Sequence, residues 1–205
     1  MKKKGLLITL EGPEGCGKTT QVANIAAYCN SLGVQHIVLR EPGATVIGEA
    51  IRELLLHLSV KNMAPETELM LYLAARAQIV HEKILPALRA GRVVICDRFE
   101  DSTLAYQGFG RGLPVVEILK ASKLVRKNLQ PNVTFLLDLD PRIAFKRIGR
   151  RDRMERAPLA FHRRVREGFL TLARKQKQRF RVIDAAKTPD EVFCGIRKVL
   201  ERVLL

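Results

Sequence analysis

The stretch Leu6-Leu7-Ile8-Thr9-Leu10-Glu11-Gly12-Pro13-Glu14-Gly15-Cys16-Gly17-Lys18-Thr19-Thr20 decides the fold. Five residues, four of them apolar, form a strand that runs straight into G-x-x-x-x-G-K-T, and a helical pattern follows. Glycines let the backbone curl so that successive N–H groups point inward at an anion. The helix opening near Lys18 adds the positive end of its dipole. A loop of this kind cradles the phosphates of a nucleoside triphosphate, with Lys18 on the β- and γ-phosphates and the Thr19 hydroxyl placed for Mg²⁺. The loop from Gly12 to Thr20 (Gly12, Pro13, Glu14, Gly15, Cys16, Gly17, Lys18, Thr19, Thr20) is therefore the candidate ATP site.

Outward from this loop, short β-rich runs alternate with longer helical patterns. Strands are expected at Leu6–Leu10, His36–Leu39, Val93–Cys96, Val133–Leu139 and Arg181–Ile183. Several are almost continuously apolar, as in parallel strands covered on both faces. Val22, Ile25, Ala26, Cys29 and Leu32 mark one helix, and Gly33 is placed to cap its C-terminus. Ile47, Ile51, Leu54, Leu55 and Leu58 mark the next. A long helix opens at Pro65 and runs to Ala90 with a kink expected at Pro86. Thr188-Pro189-Asp190-Glu191 is a capping box for the last. The alternation predicts right-handed βαβ units: an α/β, three-layer α/β/α sandwich of P-loop NTPase type on a five-stranded parallel sheet. No linker or repeat divides the chain, so residues 1–205 read as one domain.

The 205 residues bury roughly 70% of the unfolded chain's surface, enough for a core without disulfide or metal support. Hydrophobic residues at 47% and charged residues at 28% exclude a disordered or fibrous chain. No apolar run reaches the ~20 residues that span a bilayer, and the Leu6–Leu10 run is too short for a signal h-region. A cytoplasmic protein that does not engage membranes is expected. Cys16, Cys29, Cys96 and Cys194 lack C-x-x-C spacing and read as reduced thiols.

The net charge of +15 calls for an acidic partner. Its distribution is uneven: between Arg142 and Arg181, fifteen Lys/Arg face three acids, a block of +12. Arg150 to Arg153 are read as functional, and Arg163 to Arg181 as a solvated basic face. Val93-Val94-Ile95-Cys96-Asp97 ends in an acid beside the cradle, the second candidate Mg²⁺ ligand after Thr19. Asp138 and Asp140 are rivals, and Asp97 is preferred because Arg98 adds a cation at the same strand end.

The remaining landmarks are Arg40-Glu41-Pro42-Gly43, Tyr72 with Arg76, Asp97-Arg98-Phe99, Ser102 with Ala105-Tyr106-Gln107-Gly108, and Asp152-Arg153-Met154-Glu155. Together with Glu11–Thr19 they resemble the motif set of bacterial thymidylate kinases over nearly the whole chain. The resemblance implies phosphorylation of dTMP to dTDP by ATP and Mg²⁺, in dTTP biosynthesis, by a homodimer. It implies that Tyr72 stacks on thymine, Arg76 bonds a base carbonyl and Arg98 holds the monophosphate. Tyr106 would lie against the sugar and disfavour a 2′-hydroxyl, Ser102, Thr103 and Gln107 would line the base pocket, and Glu41 and Pro42 would stand on the acceptor side with Glu14. Because Pro13, Glu14, Gly15 and Cys16 include no basic residue, the chain is similar to the subgroup that supplies its transition-state cation from a mobile basic lid, here about 149–157. Arg150, Arg151 and Arg153 are the candidates, with Lys18 and Arg98. Ala44 stands where the family usually has glycine.

Two other readings stand beside this one. A related kinase would act on a different small acceptor. A P-loop ATPase stimulated by nucleic acid would use the basic block on a phosphate backbone. The latter is disfavoured, because no aromatic-rich basic strand surface is present to stack bases.

Overall fold

A computed structural model describes residues 5–60, 62–147 and 152–204. Five strands, β1 (Leu6–Glu11), β2 (His36–Arg40), β3 (Val93–Asp97), β4 (Val133–Asp138) and β5 (Phe180–Asp184), form one sheet in the order β2-β3-β1-β4-β5. Every pairing is parallel. The central strand β1 is where the chain changes sides, with β2 and β3 to one side and β4 and β5 to the other. Ligands in such sheets bind beyond the carboxyl ends of the strands at this switch. The register places Leu10, Asp97 and Arg40 level with one another at that edge.

Alternation along β1 decides which helices cover each face. Ile8 and Leu10 point into a core completed by α1 (Lys18–Ser31) and α9 (Pro189–Leu204), through Val22, Ile25, Cys29, Ile196 and Leu200. The opposite face is covered mainly by α3 (Pro65–Ile79) and α8 (Leu159–Lys175). The layers are therefore helix, sheet, helix. The shorter helices are α2 (Val46–Leu56), α4 (Leu85–Arg89), α5 (Glu100–Thr103), α6 (Val115–Val125) and α7 (Pro141–Arg147). Gly33, at φ +64°, ends the first helical run as expected, and Thr188 and Glu191 bond reciprocally ahead of α9. Leu58 falls outside α2.

The kink expected at Pro86 takes another form. Val80–Ile84 is a π-helical turn, and the Leu85 N–H reaches the Val80 carbonyl. Pro86 has no N–H, and its ring crowds the carbonyl four residues back. The widened turn immediately before it absorbs both defects, so the helical run continues through α4. A second π-helical segment, Leu104–Gly110, carries Tyr106 and Gln107. It lies tightly on α8: a Cβ on Gly168 would come within 2.7 Å of Phe109. Such widened turns recur at functional sites because they re-aim side chains.

The basic block is more structural than its composition indicates. Arg179 makes a two-pronged pair with the fully buried Asp101, at 2.7 Å on each arm, and also donates to Thr134. Arg166 grips Asp138 at 2.7 and 2.8 Å, and Arg164 donates to the Gly110 carbonyl. The solvated-face reading of Arg163 to Arg181 is thus corrected for Arg179 and Arg166, which carboxylates on neighbouring elements draw in; Arg164 stays exposed while it bonds the Gly110 carbonyl. The four cysteines are free thiols, three of them buried. Among the described residues no helix is long and apolar enough to cross a membrane.

Candidate active site

At the end of β1 the chain turns through Gly12, at φ +141°, where a Cβ would sit 2.5 Å from the Leu137 carbonyl oxygen. Only glycine fits that backbone, which explains the first loop position. Cys16 packs into the core, and Pro13 is buried. Lys18 lies over the loop, donating to Pro13 O at 2.8 Å and Gly12 O at 3.3 Å, with Glu14 Oε2 4.0 Å away. Gly15, Gly17, Lys18 and Thr19 line an open cavity together with Arg40, Asp97, Arg98, Arg147 and Glu155. Thr20 is exposed on the first turn of α1.

Asp97 and Thr19 thus line the same cavity. Asp97 Oδ1 is buried and has no hydrogen-bond partner among the described residues, so a cation-binding oxygen stands unclaimed beside the phosphate loop. The rival acids are engaged elsewhere, Asp138 by Arg166 and Asp140 by Arg142. A single carboxylate with a hydroxyl suits Mg²⁺, which keeps waters and takes substrate phosphate oxygens as its other ligands.

Arg98 follows Asp97 with φ +72°, a left-handed backbone that costs a non-glycine residue energy and recurs at functional sites. The strained turn aims its guanidinium across the sheet edge. Nη1 donates to Gly12 O (2.9 Å) and Ser102 Oγ (3.0 Å), and Nη2 pairs with Glu14 at 2.7 Å. The guanidinium lies 5.2 Å from the centre of the Tyr106 ring. Burial works against its charge, but Glu14 and its other neighbours hold its pKa well above the usual arginine value. Burial likewise raises the Glu14 carboxyl, yet Arg98 and Lys18 win and bring it down to about 2.

Beyond Arg98 a second cavity is lined by Glu41, Pro42, Tyr72, Arg76, Phe99, Ser102, Thr103, Tyr106 and Gln107 among others. Arg76, 1% exposed, pairs with Glu41 at 2.7 Å and lies 5.1 Å from the Phe99 ring centre. Among the described residues its Nη1 has no partner, nor have Glu41 Oε1 and Thr103 Oγ1. Three unsatisfied polar atoms on the lining residues of one cavity mark a place for a polar ligand. Burial pushes the Tyr72 phenol well above its usual pKa. The Tyr106 hydroxyl donates to Glu14 at 3.1 Å, and its ring meets Phe161 and Phe169 edge-on.

The two cavities share Glu14, Glu41, Arg52 and Arg98 as common walls. Arg153 lines neither. Its guanidinium reaches Glu68 at 2.7 Å and the Leu55 carbonyl at 2.7 Å, drawn there by a buried carboxylate. Arg150 and Arg151 lie outside the described residues. Asp152 and Glu155 bond reciprocally through backbone N–H and carboxylate, closing a turn ahead of α8.

Sequence reasoning missed Glu11, Arg52, Glu68 and Arg147. Glu11 is fully buried; it accepts from Phe99 N (2.8 Å) and Ser102 Oγ (2.5 Å), and burial followed by the nearby Asp101 raises its pKa. Arg52 donates to the Pro42 carbonyl, and Arg147 to the carbonyls of Ala185 and Ala186. Glu68 carried a usable signal, since Glu68, Tyr72 and Arg76 recur every four residues on one helix face.

The thymidylate kinase family model matches residues 10–196. A thymidylate kinase from Carboxydothermus hydrogenoformans is 51% identical over 201 residues, covering 97% of this chain and 98% of that protein. One from Deinococcus radiodurans is 50% identical over 192 residues, covering 92% and 93%. The crystal structure of thymidylate kinase from Ehrlichia chaffeensis superposes with a TM-score of 0.80 at 34% identity, covering 96% of this chain and 99% of that one.

Proposed function

The chain belongs to the thymidylate kinase family, whose members phosphorylate dTMP to dTDP with ATP, and we propose that its two joined cavities divide that reaction between donor and acceptor. The observation that carries this reading is the shared wall at Glu14, Glu41, Arg52 and Arg98. A triphosphate seated on the loop and a monophosphate entering from the Tyr72 side meet there, end to end.

An acceptor phosphate oxygen attacks the γ-phosphorus in line. The bond from that phosphorus to the β–γ bridging oxygen breaks, and ADP leaves with the electron pair. No general base is required, because a phosphate monoester with a second pKa near ~6 is mostly dianionic at pH 7. The remaining problem is repulsion and alignment between two anions. Lys18 holds the donor phosphates and Arg98 the acceptor phosphate. Tyr72 stacks on the base, Arg76 Nη1 bonds a base carbonyl, Thr103 and Gln107 face the base edge, and Tyr106 crowds the sugar's 2′ position. Asp97 and Thr19 would hold Mg²⁺, which when bound neutralises charge on the donor phosphates. With Arg153 held by Glu68, Arg150 and Arg151 remain the lid cations of this scheme.

Residues 1–205 form one kinase domain in this reading, and the enzyme is cytoplasmic. A homodimer is supported by α2, α3 and α6, which pack side by side and expose Val46, Ile47, Leu54, Met70, Val116 and Leu119. Light scattering at micromolar concentration tests the dimer, and a monomer refutes it. The function is tested by supplying ATP and Mg²⁺ with dTMP, dUMP, UMP, dCMP or GMP. dTMP should turn over best; failure to phosphorylate any pyrimidine monophosphate refutes the reading.

A further inference from the structure

Glu68 sits on α3, 1% exposed, one helical turn before Tyr72. Its carboxylate is surrounded by donors from two other segments. Gln107 Nε2 donates to Oε1 at 2.9 Å, and Arg111 Nε to the same oxygen at 3.1 Å. Arg111 Nη2 and Arg153 Nη2 donate to Oε2 at 3.0 and 2.7 Å. Burial alone would raise this carboxyl, but the bonds from Arg111, Gln107 and Arg153 leave it below the ordinary glutamate value.

The consequence falls on Gln107, which is 1% exposed and lines the acceptor cavity. An amide is ambiguous: either end can turn to either neighbour. A carboxylate can only accept, so it takes the NH₂ end and leaves the carbonyl oxygen on the other side. Gln107 Oε1 has no hydrogen-bond partner among the described residues. Two residues lining the cavity thus carry unpaired groups among the described residues, an acceptor on Gln107 and a donor, Nη1, on Arg76. A thymine or uracil edge complements this pair, with a donating N3–H between two accepting carbonyls. Cytosine carries a lone pair at N3 and an amino group at C4, so it sets acceptor against acceptor and donor against donor.

We propose that Glu68, pinned by Arg111 and Arg153, is a positioning residue for base specificity: it locks the Gln107 amide with Oε1 toward the base, so that the site accepts 2,4-dioxopyrimidines and rejects cytosine. This rests on the assignment of the second cavity to the acceptor nucleotide. It also gives Arg153 a place at the base end of the acceptor, away from the phosphates.

Glu68→Gln tests the lock, because a neutral amide at 68 can donate or accept and releases Gln107 to flip. The readout is the ratio of kcat/KM for dUMP to that for dCMP, two substrates that differ only at N3 and C4. In Glu68→Gln this ratio should fall at least about tenfold, the equivalent of one lost discriminating contact. Arg111→Lys is the matched lesion: it disturbs the same cluster but keeps a cation beside Glu68, so a carboxylate still faces Gln107 and the ratio should hold even as stability drops. Equal loss of discrimination in both variants means general damage and overturns the proposal, as does an unchanged ratio in Glu68→Gln. A crystal structure of the wild-type protein with dTMP gives a test free of folding defects. The amide should keep one end on Glu68 and set the other against N3; an amide that leaves Glu68 on binding overturns the lock. Wild-type protein inactive on both dTMP and dUMP would sink the acceptor assignment itself, which is a separate outcome.

Discussion

Removing the Arg76–Glu41 pair separates what the active site needs from what the fold needs. The pair is nearly dry, with side chains 2% and 4% exposed and two short contacts of 2.8 and 2.7 Å to a single oxygen, Glu41 Oε2. Arg76→Met leaves the Glu41 carboxylate buried without its cation, which should cost about 3–5 kcal/mol of stability. Adding Glu41→Leu removes the orphaned charge. The double variant should recover to near wild type or exceed it by up to ~4 kcal/mol, because a hydrophobic pair needs no compensation for lost hydration. Both variants lose the Arg76 Nη1 donor. A hydrogen bond from a charged group contributes roughly 1.5–3 kcal/mol, so dTMP should bind about 10- to 150-fold more weakly. In Arg76→Met, ATP affinity should be unchanged, since Arg76 does not line the donor cavity. Urea titrations at constant m-value measure the first effect, and calorimetry with dTMP and an ATP analogue measures the second. A double variant as unstable as the single one would refute the charge argument. Full dTMP affinity in the double variant would show that Nη1 does not face the base.

Asp97→Asn should raise the Mg²⁺ concentration for half-maximal activity at least about tenfold, since an amide is a weaker ligand for a hard cation than a carboxylate; an unchanged Mg²⁺ dependence removes Asp97 from the metal site. Ala44 stands at φ +62°, a conformation that costs an L-residue about 1–2 kcal/mol, while glycine returns roughly 0.5–1 kcal/mol of that in entropy. Ala44→Gly should therefore stabilise the protein by up to about 1 kcal/mol in thermal unfolding, and destabilisation would contradict the strain argument. Glu14, held at about 2 against an ordinary 4.5, supplies stability that is fully present above pH 4.5 and lost as pH falls through 2. The stability difference between wild type and Glu14→Gln should accordingly shrink on acidification from pH 5 to pH 3, and a difference that grows over that range reverses the sign of the coupling.

The phosphate loop and the five strands were legible because their signals are local. An apolar run, a glycine at fixed spacing and a lysine-threonine pair each report on a few consecutive residues. The strands came out within two residues at either end. What the sequence did not show depends on where one segment meets another. Arg179 and Arg153 look like members of a basic run, yet each is claimed by a carboxylate 78 or 85 positions away, Asp101 and Glu68. The π-helical turn at Leu104–Gly110 has no periodicity of its own in seven residues, although it aims Tyr106 and Gln107. Arg147 is one cation in a crowded block, and only the fold turns it toward the cavity beside the phosphate loop.

Those pairings bear on how a chain of net charge +15 distinguishes its substrates from other polyanions. An arginine facing open water attracts any phosphate; one held by a carboxylate presents a nearly neutral pair. Arg98 is held by Glu14, Arg76 by Glu41, Arg166 by Asp138 and Arg179 by Asp101. A phosphate approaching Arg98 must replace the Glu14 carboxylate as the principal anion, and a dianion can do so where a weakly charged group cannot. Lys18 is in a similar position, lying on the loop's own carbonyls until a triphosphate offers a stronger acceptor. Affinity then depends on exchange of one anion for another at fixed places, which favours a ligand with phosphates at both ends of the shared wall over a uniform polyanion. The same logic explains why Glu14 belongs to both cavities: one carboxylate neutralises Arg98 and stands 4.0 Å from Lys18, at the point where the proposed reaction brings two phosphates together.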